Sequence, residues 1–74
     1  MPDHSVRLVY RGQMYSLYGG TWRGPDPHGV HLLTWITDDL CRRQNPQLGT
    51  LEADRWLARQ VADQLGDAKV LGEE

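Results

Sequence analysis

Two segments rich in β-branched and aromatic residues, VRLVY at 6–10 and QMYSLY at 13–18, flank the dipeptide Arg11-Gly12. Glycine accepts the positive φ of a two-residue hairpin turn, so the pattern predicts an antiparallel hairpin over residues 6–18. Pairing across this turn separates an apolar face from a face of mixed character, which supports the register. The apolar face contains Val6, Leu8, Tyr10, Tyr15 and Leu17, and the other contains Arg7, Val9, Met14 and Ser16.

Residues 30–43 fit two different structures. Val30, Leu32, Thr34 and Ile36 would share one side of a strand over residues 30–36, whereas the spacing of Leu33, Ile36 and Leu40 is typical of one helical face. The β-branched and aromatic residues favour a third strand over residues 30–36. We therefore expect that strand to be followed by a short helix.

The clearest helix signal covers residues 50–65. Thr50 is a suitable N-cap, Gly66 is placed to end the helix, and good helix formers lie between them. In the tail, residues 66–74, the segment 68–71 either adds an edge strand or frays. The fold class we expect is α+β, in one small domain: a hairpin or three-stranded meander packed on the C-terminal helix, with a short helix between.

The composition limits the classes of function. A chain of 74 residues with a formal net charge of −2 is a poor candidate for a protein that neutralises many phosphates. Cys41 is the single cysteine, so no intramolecular disulfide forms, and no run approaches the roughly 20 apolar residues of a membrane span. We expect a soluble, cytoplasmic protein that does not bind membranes.

Few residues have the chemistry of a catalytic or metal site. His28, His31 and Cys41, completed by Asp38 or Asp39, are ligand types for zinc, but the paired spacing of a structural zinc site is missing. Cys41 with either histidine also has the residue types of a nucleophile and its base, in a domain with little volume for a closed pocket. We expect no enzymatic activity, no metal and no cofactor.

Two tryptophans are followed or flanked by arginine. Trp22 lies in the glycine- and proline-rich segment 19–29, which predicts an irregular loop, and Trp56 lies on the solvent side of the 50–65 helix. Each has a structural alternative. Trp22 would fold back as a lid on the hairpin, and Trp56 would pack under the loop at 44–49 or beneath the stem of Arg59. Tryptophan and arginine are enriched in protein–protein hot spots, so we expect a non-enzymatic interaction module that docks on a larger protein and modulates it. The expected anchors are Trp22, Arg23, Trp56, Arg55 and Arg59.

A second interpretation uses the basic side of the hairpin. Arg7, Arg11 and Tyr18 would contact single-stranded nucleic acid through phosphate pairs and base stacking, in a transcription-associated role. The negative net charge and the small number of arginines make this the second choice. A homodimer is a further alternative, because it would bury the same tryptophans and arginines.

Overall fold

The computed structural model describes residues 5–72. It has the expected α+β class: helices cover one face of a four-stranded antiparallel sheet with strand order β3-β2-β1-β4. Neither helix within the described residues has the length and apolarity needed to cross a membrane. The elements are β1 (Val6–Tyr10), β2 (Gln13–Tyr18), β3 (Thr21–Arg23), α1 (Pro27–Gln44), α2 (Leu51–Leu65) and β4 (Ala68–Val70).

The predicted hairpin forms in the predicted register. Val6 lies opposite Leu17, and the pairing continues to the turn, where Arg11 has a φ of 53° and Gly12 a φ of 76°. Two successive positive φ values are typical of the type I′ turn that matches strand twist. The apolar face is buried against the helices, with Tyr10 half-buried at its end.

The C-terminal helix and the tail also follow the sequence pattern. The Thr50 hydroxyl accepts a hydrogen bond from the Ala53 amide at 3.1 Å, and α2 ends at Gly66, whose φ is 82°. Of the two alternatives for the tail, the strand is the one that forms, because β4 pairs with the free side of β1. Glu73 and Glu74 lie outside the described residues.

The predicted third strand over residues 30–36 is wrong. These residues belong to α1, which begins after Asp26, whose side chain accepts a hydrogen bond from the His28 amide at 3.2 Å. Apolar residues at helical spacing on α1 are buried, so tertiary burial outweighs the strand preference of the β-branched residues. The short helix expected after residue 36 is the second half of this one helix.

The segment 19–29 is not an irregular loop either. It consists of a turn, the short strand β3 and the first residues of α1. Gly24 and Gly29 lie so close to the ring of Tyr15 that a β-carbon at either position would overlap it. These two glycines therefore allow the Tyr15 ring to pack closely against the backbone. Burial raises the pKa of Tyr15, and the nearby Asp26 carboxylate raises it further.

Candidate docking surface on the outer face of the sheet

Trp22 is a core residue. Its side chain is 3% exposed, and its indole Nε1 donates a hydrogen bond to the buried Thr37 hydroxyl at 2.7 Å. Trp22 thus folds back over the core, as in the lid alternative, and its hydrogen bond to Thr37 links β3 to α1. This corrects the expectation that Trp22 is an anchor for a partner, because an indole buried under α1 offers a partner no contact area.

Asp54 determines the conformation of the glycine pair before β3. The two oxygens of this buried carboxylate accept hydrogen bonds from the Gly19 amide at 2.9 Å and from the Gly20 amide at 3.0 Å. Both glycines have positive φ, which a two-residue turn between β2 and β3 requires. This contact spans 35 residues of sequence, so the pattern around Asp54 alone does not indicate it.

The five expected anchors do not form one surface. Arg55 and Arg59 are exposed on α2, and Trp56 is half-buried, packed against the core beside a groove that Pro46 also lines. Trp56 therefore shares this groove with the loop between the helices and with Arg59, the two neighbours that its structural alternative names. Arg23 lies on the other side of the sheet, because its neighbour Trp22 points toward the helices and side chains alternate along a strand.

The side of the sheet that faces away from the helices is termed the outer sheet face. Strand alternation and the observed register determine its members. Met14 and Tyr18 are its large exposed apolar side chains, at 48% and 55% exposure. The full set is Arg7 and Val9 of β1, Met14, Ser16 and Tyr18 of β2, Thr21 and Arg23 of β3, and Lys69 of β4.

Acidic residues are absent from the described strands, so the charge on the outer sheet face is of one sign. Arg7, Arg23 and Lys69 are exposed on the outer sheet face, and none of the four described strands contains an aspartate or glutamate. The outer sheet face is therefore cationic although the whole chain has a formal net charge of −2. Within residues 5–72 the acidic residues lie on the helices and connections: Asp26, Asp38, Asp39, Glu52, Asp54, Asp63 and Asp67.

The residues of the nucleic-acid interpretation are partly brought together. Arg7 and Tyr18 share the outer sheet face, and Arg23 joins them there. Arg11 lies at the β1–β2 turn, with its guanidinium carbon 5.5 Å from the centre of the Tyr10 ring. Lys69 was not predicted as a member, because its position depends on whether the tail pairs with β1.

The residues considered for metal binding and catalysis are not assembled into a site. His28 and His31 are exposed on α1, and no group of three or more His, Cys, Asp or Glu side chains within residues 5–72 is placed to hold a metal ion. Burial raises the pKa of the Cys41 thiol, and the Asp38 carboxylate raises it further. A raised pKa lowers the thiolate fraction, which is the opposite of nucleophile activation.

Trp35 is an exposed aromatic residue that sequence reasoning did not single out. Its side chain is 63% exposed on α1, whereas Trp22 is buried and Trp56 is half-buried. The strand interpretation of residues 30–36 concealed its position, since a helical phase is needed to place it opposite the buried side of α1.

Comparison of the chain with known proteins gave no match to a family model, a curated protein or a solved structure. The assignment of a function therefore depends on the chemistry of the described surfaces.

Proposed function

We propose that this chain is a non-enzymatic binding module that docks through its outer sheet face on an acidic surface of a larger cytoplasmic protein and modulates that protein. The observation that carries the proposal is the single sign of charge on the described outer sheet face. Three exposed cations occupy a face whose strands contain no acidic residue, in a chain that is acidic as a whole. A complementary anionic surface would meet attraction on this face without local repulsion.

The composition of the outer sheet face also fits a protein partner. Arginine, methionine and tyrosine are enriched in protein interfaces, and Met14 and Tyr18 supply apolar area beside the cations. Arginine makes planar, multidentate contacts with carboxylates, so Arg7 and Arg23 suit aspartate and glutamate side chains. A platform for single-stranded nucleic acid uses several aromatic residues, whereas Tyr18 is the one aromatic residue among the described members of this face.

Neutralising the outer sheet face tests the proposal. We expect Arg7→Gln/Arg23→Gln to weaken partner binding by about 2-fold to 30-fold, since exposed charge pairs contribute about 0.2–1 kcal/mol each. Binding is measured by quantitative capture from a nuclease-treated host lysate and then by titration of the purified partner. The matched control is Arg42→Gln/Arg43→Gln in the last turn of α1, which changes the net charge equally.

Four outcomes decide the proposal. Loss of binding in the outer-face variant with retention in the α1 control supports it. Equal losses in the two variants would contradict it, because they would show a response to net charge alone. Retention of binding in both variants, or capture that disappears after nuclease treatment, would also contradict it.

Trp56→Ala separates the proposed surface from the anchors expected on α2. We expect the free energy of unfolding to fall by about 1–2 kcal/mol, because part of a large apolar side chain leaves the core. Partner affinity should stay within about 2-fold of wild type, since α2 does not belong to the outer sheet face. Urea denaturation and the capture assay measure the two quantities. A variant with normal stability that no longer binds would instead place the docking surface on α2.

A further inference from the structure

Arg7, Ser16 and Arg23 form a row across three strands of the outer sheet face. Ser16 is the register partner of Arg7 on one side and of Arg23 on the other. Residues directly opposite each other in a sheet point to the same side, and neighbouring strands lie about 4.8 Å apart. The two arginine backbones are therefore separated by about 10 Å, with the serine hydroxyl between them.

This row is exposed, and no acidic side chain within residues 5–72 neutralises its charge. A shallow depression follows it, and Met14 and Gly24 also line that depression. Both arginines are exposed, and within residues 5–72 neither makes a salt bridge with an acidic side chain. Two exposed like charges about 10 Å apart repel each other weakly, because salt screens them in part. An anion bound over Ser16 would remove that repulsion.

The donors of the row match a phosphate group better than a carboxylate. One guanidinium fork already satisfies the two oxygens of a carboxylate. A phosphate monoester has three terminal oxygens and a charge of about −1.5 to −2 at neutral pH, so it can use both arginines and the hydroxyl together. We propose that the row Arg7–Ser16–Arg23 is a subsite for a phosphate group on a phosphorylated side chain of the partner protein. This inference rests on the proposed docking function.

A phosphorylated side chain suits the row better than a nucleic-acid backbone. A backbone presents many singly charged phosphates and requires a track of cations along the surface. Here two arginines flank one serine, whereas Lys69 lies at a different register position, opposite Val9. A single dianionic phosphate group can contact both of these arginines at once.

Titration of the isotope-labelled full chain, followed by NMR, tests the subsite. The probe is the capped tripeptide Ala-phosphoserine-Ala, compared with its unphosphorylated serine counterpart, inorganic phosphate and the oligonucleotide (dT)10. We expect saturable shifts at residues 7, 16 and 23 and an affinity at least about tenfold above that of the serine peptide. Arg7→Gln and Arg23→Gln should each lower that affinity by up to about 5-fold, and Arg42→Gln should leave it unchanged.

The outcomes separate this inference from the proposed function. Binding no tighter than that of the serine peptide, or tighter binding of (dT)10, would overturn the phosphate subsite. Phosphatase treatment of the lysate should abolish capture if the partner supplies the phosphate. Capture that depends on the outer sheet face but survives phosphatase would leave the docking function standing and overturn the subsite. Capture that is unchanged in Arg7→Gln/Arg23→Gln would overturn the docking function, whatever the peptide result.

Discussion

Trp22→Ala is expected to lower the free energy of unfolding by about 3–5 kcal/mol, the usual range for removing a buried tryptophan. Its side chain is 3% exposed, and the substitution leaves a cavity between β3 and α1. It also leaves the buried Thr37 hydroxyl without its indole donor, which adds a desolvation cost. A single core in a chain of about this length rarely supplies more than about 3–5 kcal/mol, so this variant should be close to unfolding at room temperature.

Urea denaturation measures the effect, and two further variants keep the result interpretable. Trp22→Phe retains much of the ring volume and loses the hydrogen bond to Thr37, so it should cost less than Trp22→Ala and remain folded. Trp35→Ala removes a tryptophan that is 63% exposed and should change stability by less than about 0.5 kcal/mol. Equal effects of Trp22→Ala and Trp35→Ala would show that Trp22 is not a core residue.

Asp54→Asn is expected to destabilise the protein by about 2–4 kcal/mol, because hydrogen bonds to a buried charged group contribute about 1.5–3 kcal/mol each. The carboxylate accepts one hydrogen bond from Gly19 and one from Gly20. An asparagine offers one oxygen to one amide, while its NH2 group faces the other amide, donor against donor. The turn that leads into β3 would then keep only one of its two hydrogen bonds to the side chain at position 54.

Urea denaturation gives the change in stability, and amide hydrogen exchange gives its location. Exchange at Gly19 and Gly20 should rise more than exchange in the β1–β2 ladder. Asp63→Asn is the matched control, because Asp63 is exposed on the same helix and its replacement should change stability by less than about 0.5 kcal/mol. Unchanged protection of the two glycine amides in Asp54→Asn would disprove the role assigned to this carboxylate.

Local signals were sufficient for the β1–β2 hairpin and for α2. The alternation on both sides of Arg11-Gly12 permits one register that collects the apolar residues, and that register is observed. Helix α2 carries its own start and stop signals at Thr50 and Gly66. In both elements the determinants lie within the segment itself, so a sequence pattern can reveal them.

The errors lie where distant residues decide the structure. Residues 30–36 are helical because one side of α1 packs into the core, which no local propensity measures. Gly19-Gly20 is itself a hairpin signal, but the glycines and prolines of residues 19–29 predict a loop, and β3, with three residues, is too short to show a strand pattern. The glycines beside Tyr15 are needed for a contact between separate elements, so they leave no periodic pattern.

The candidate site was predictable only in part for the same reason. Arg7 and Tyr18 belong to the hairpin, so alternation along its strands places them on the same side of the sheet. Arg23 joins this face only once β3 pairs with β2, and Lys69 only once β4 pairs with β1. The outer sheet face is therefore a product of strand order, which the sequence pattern left open.

Site-specific photo-crosslinking in the native host tests the central claim most directly. A photoreactive phenylalanine derivative replaces either Met14 on the outer sheet face or Trp35 on α1, two side chains that are 48% and 63% exposed. The proposal predicts a nuclease-resistant crosslink to one larger protein from position 14, whose yield Arg7→Gln/Arg23→Gln in the same chain lowers, and none from position 35. A crosslink from position 35 without one from position 14 would contradict docking through the outer sheet face.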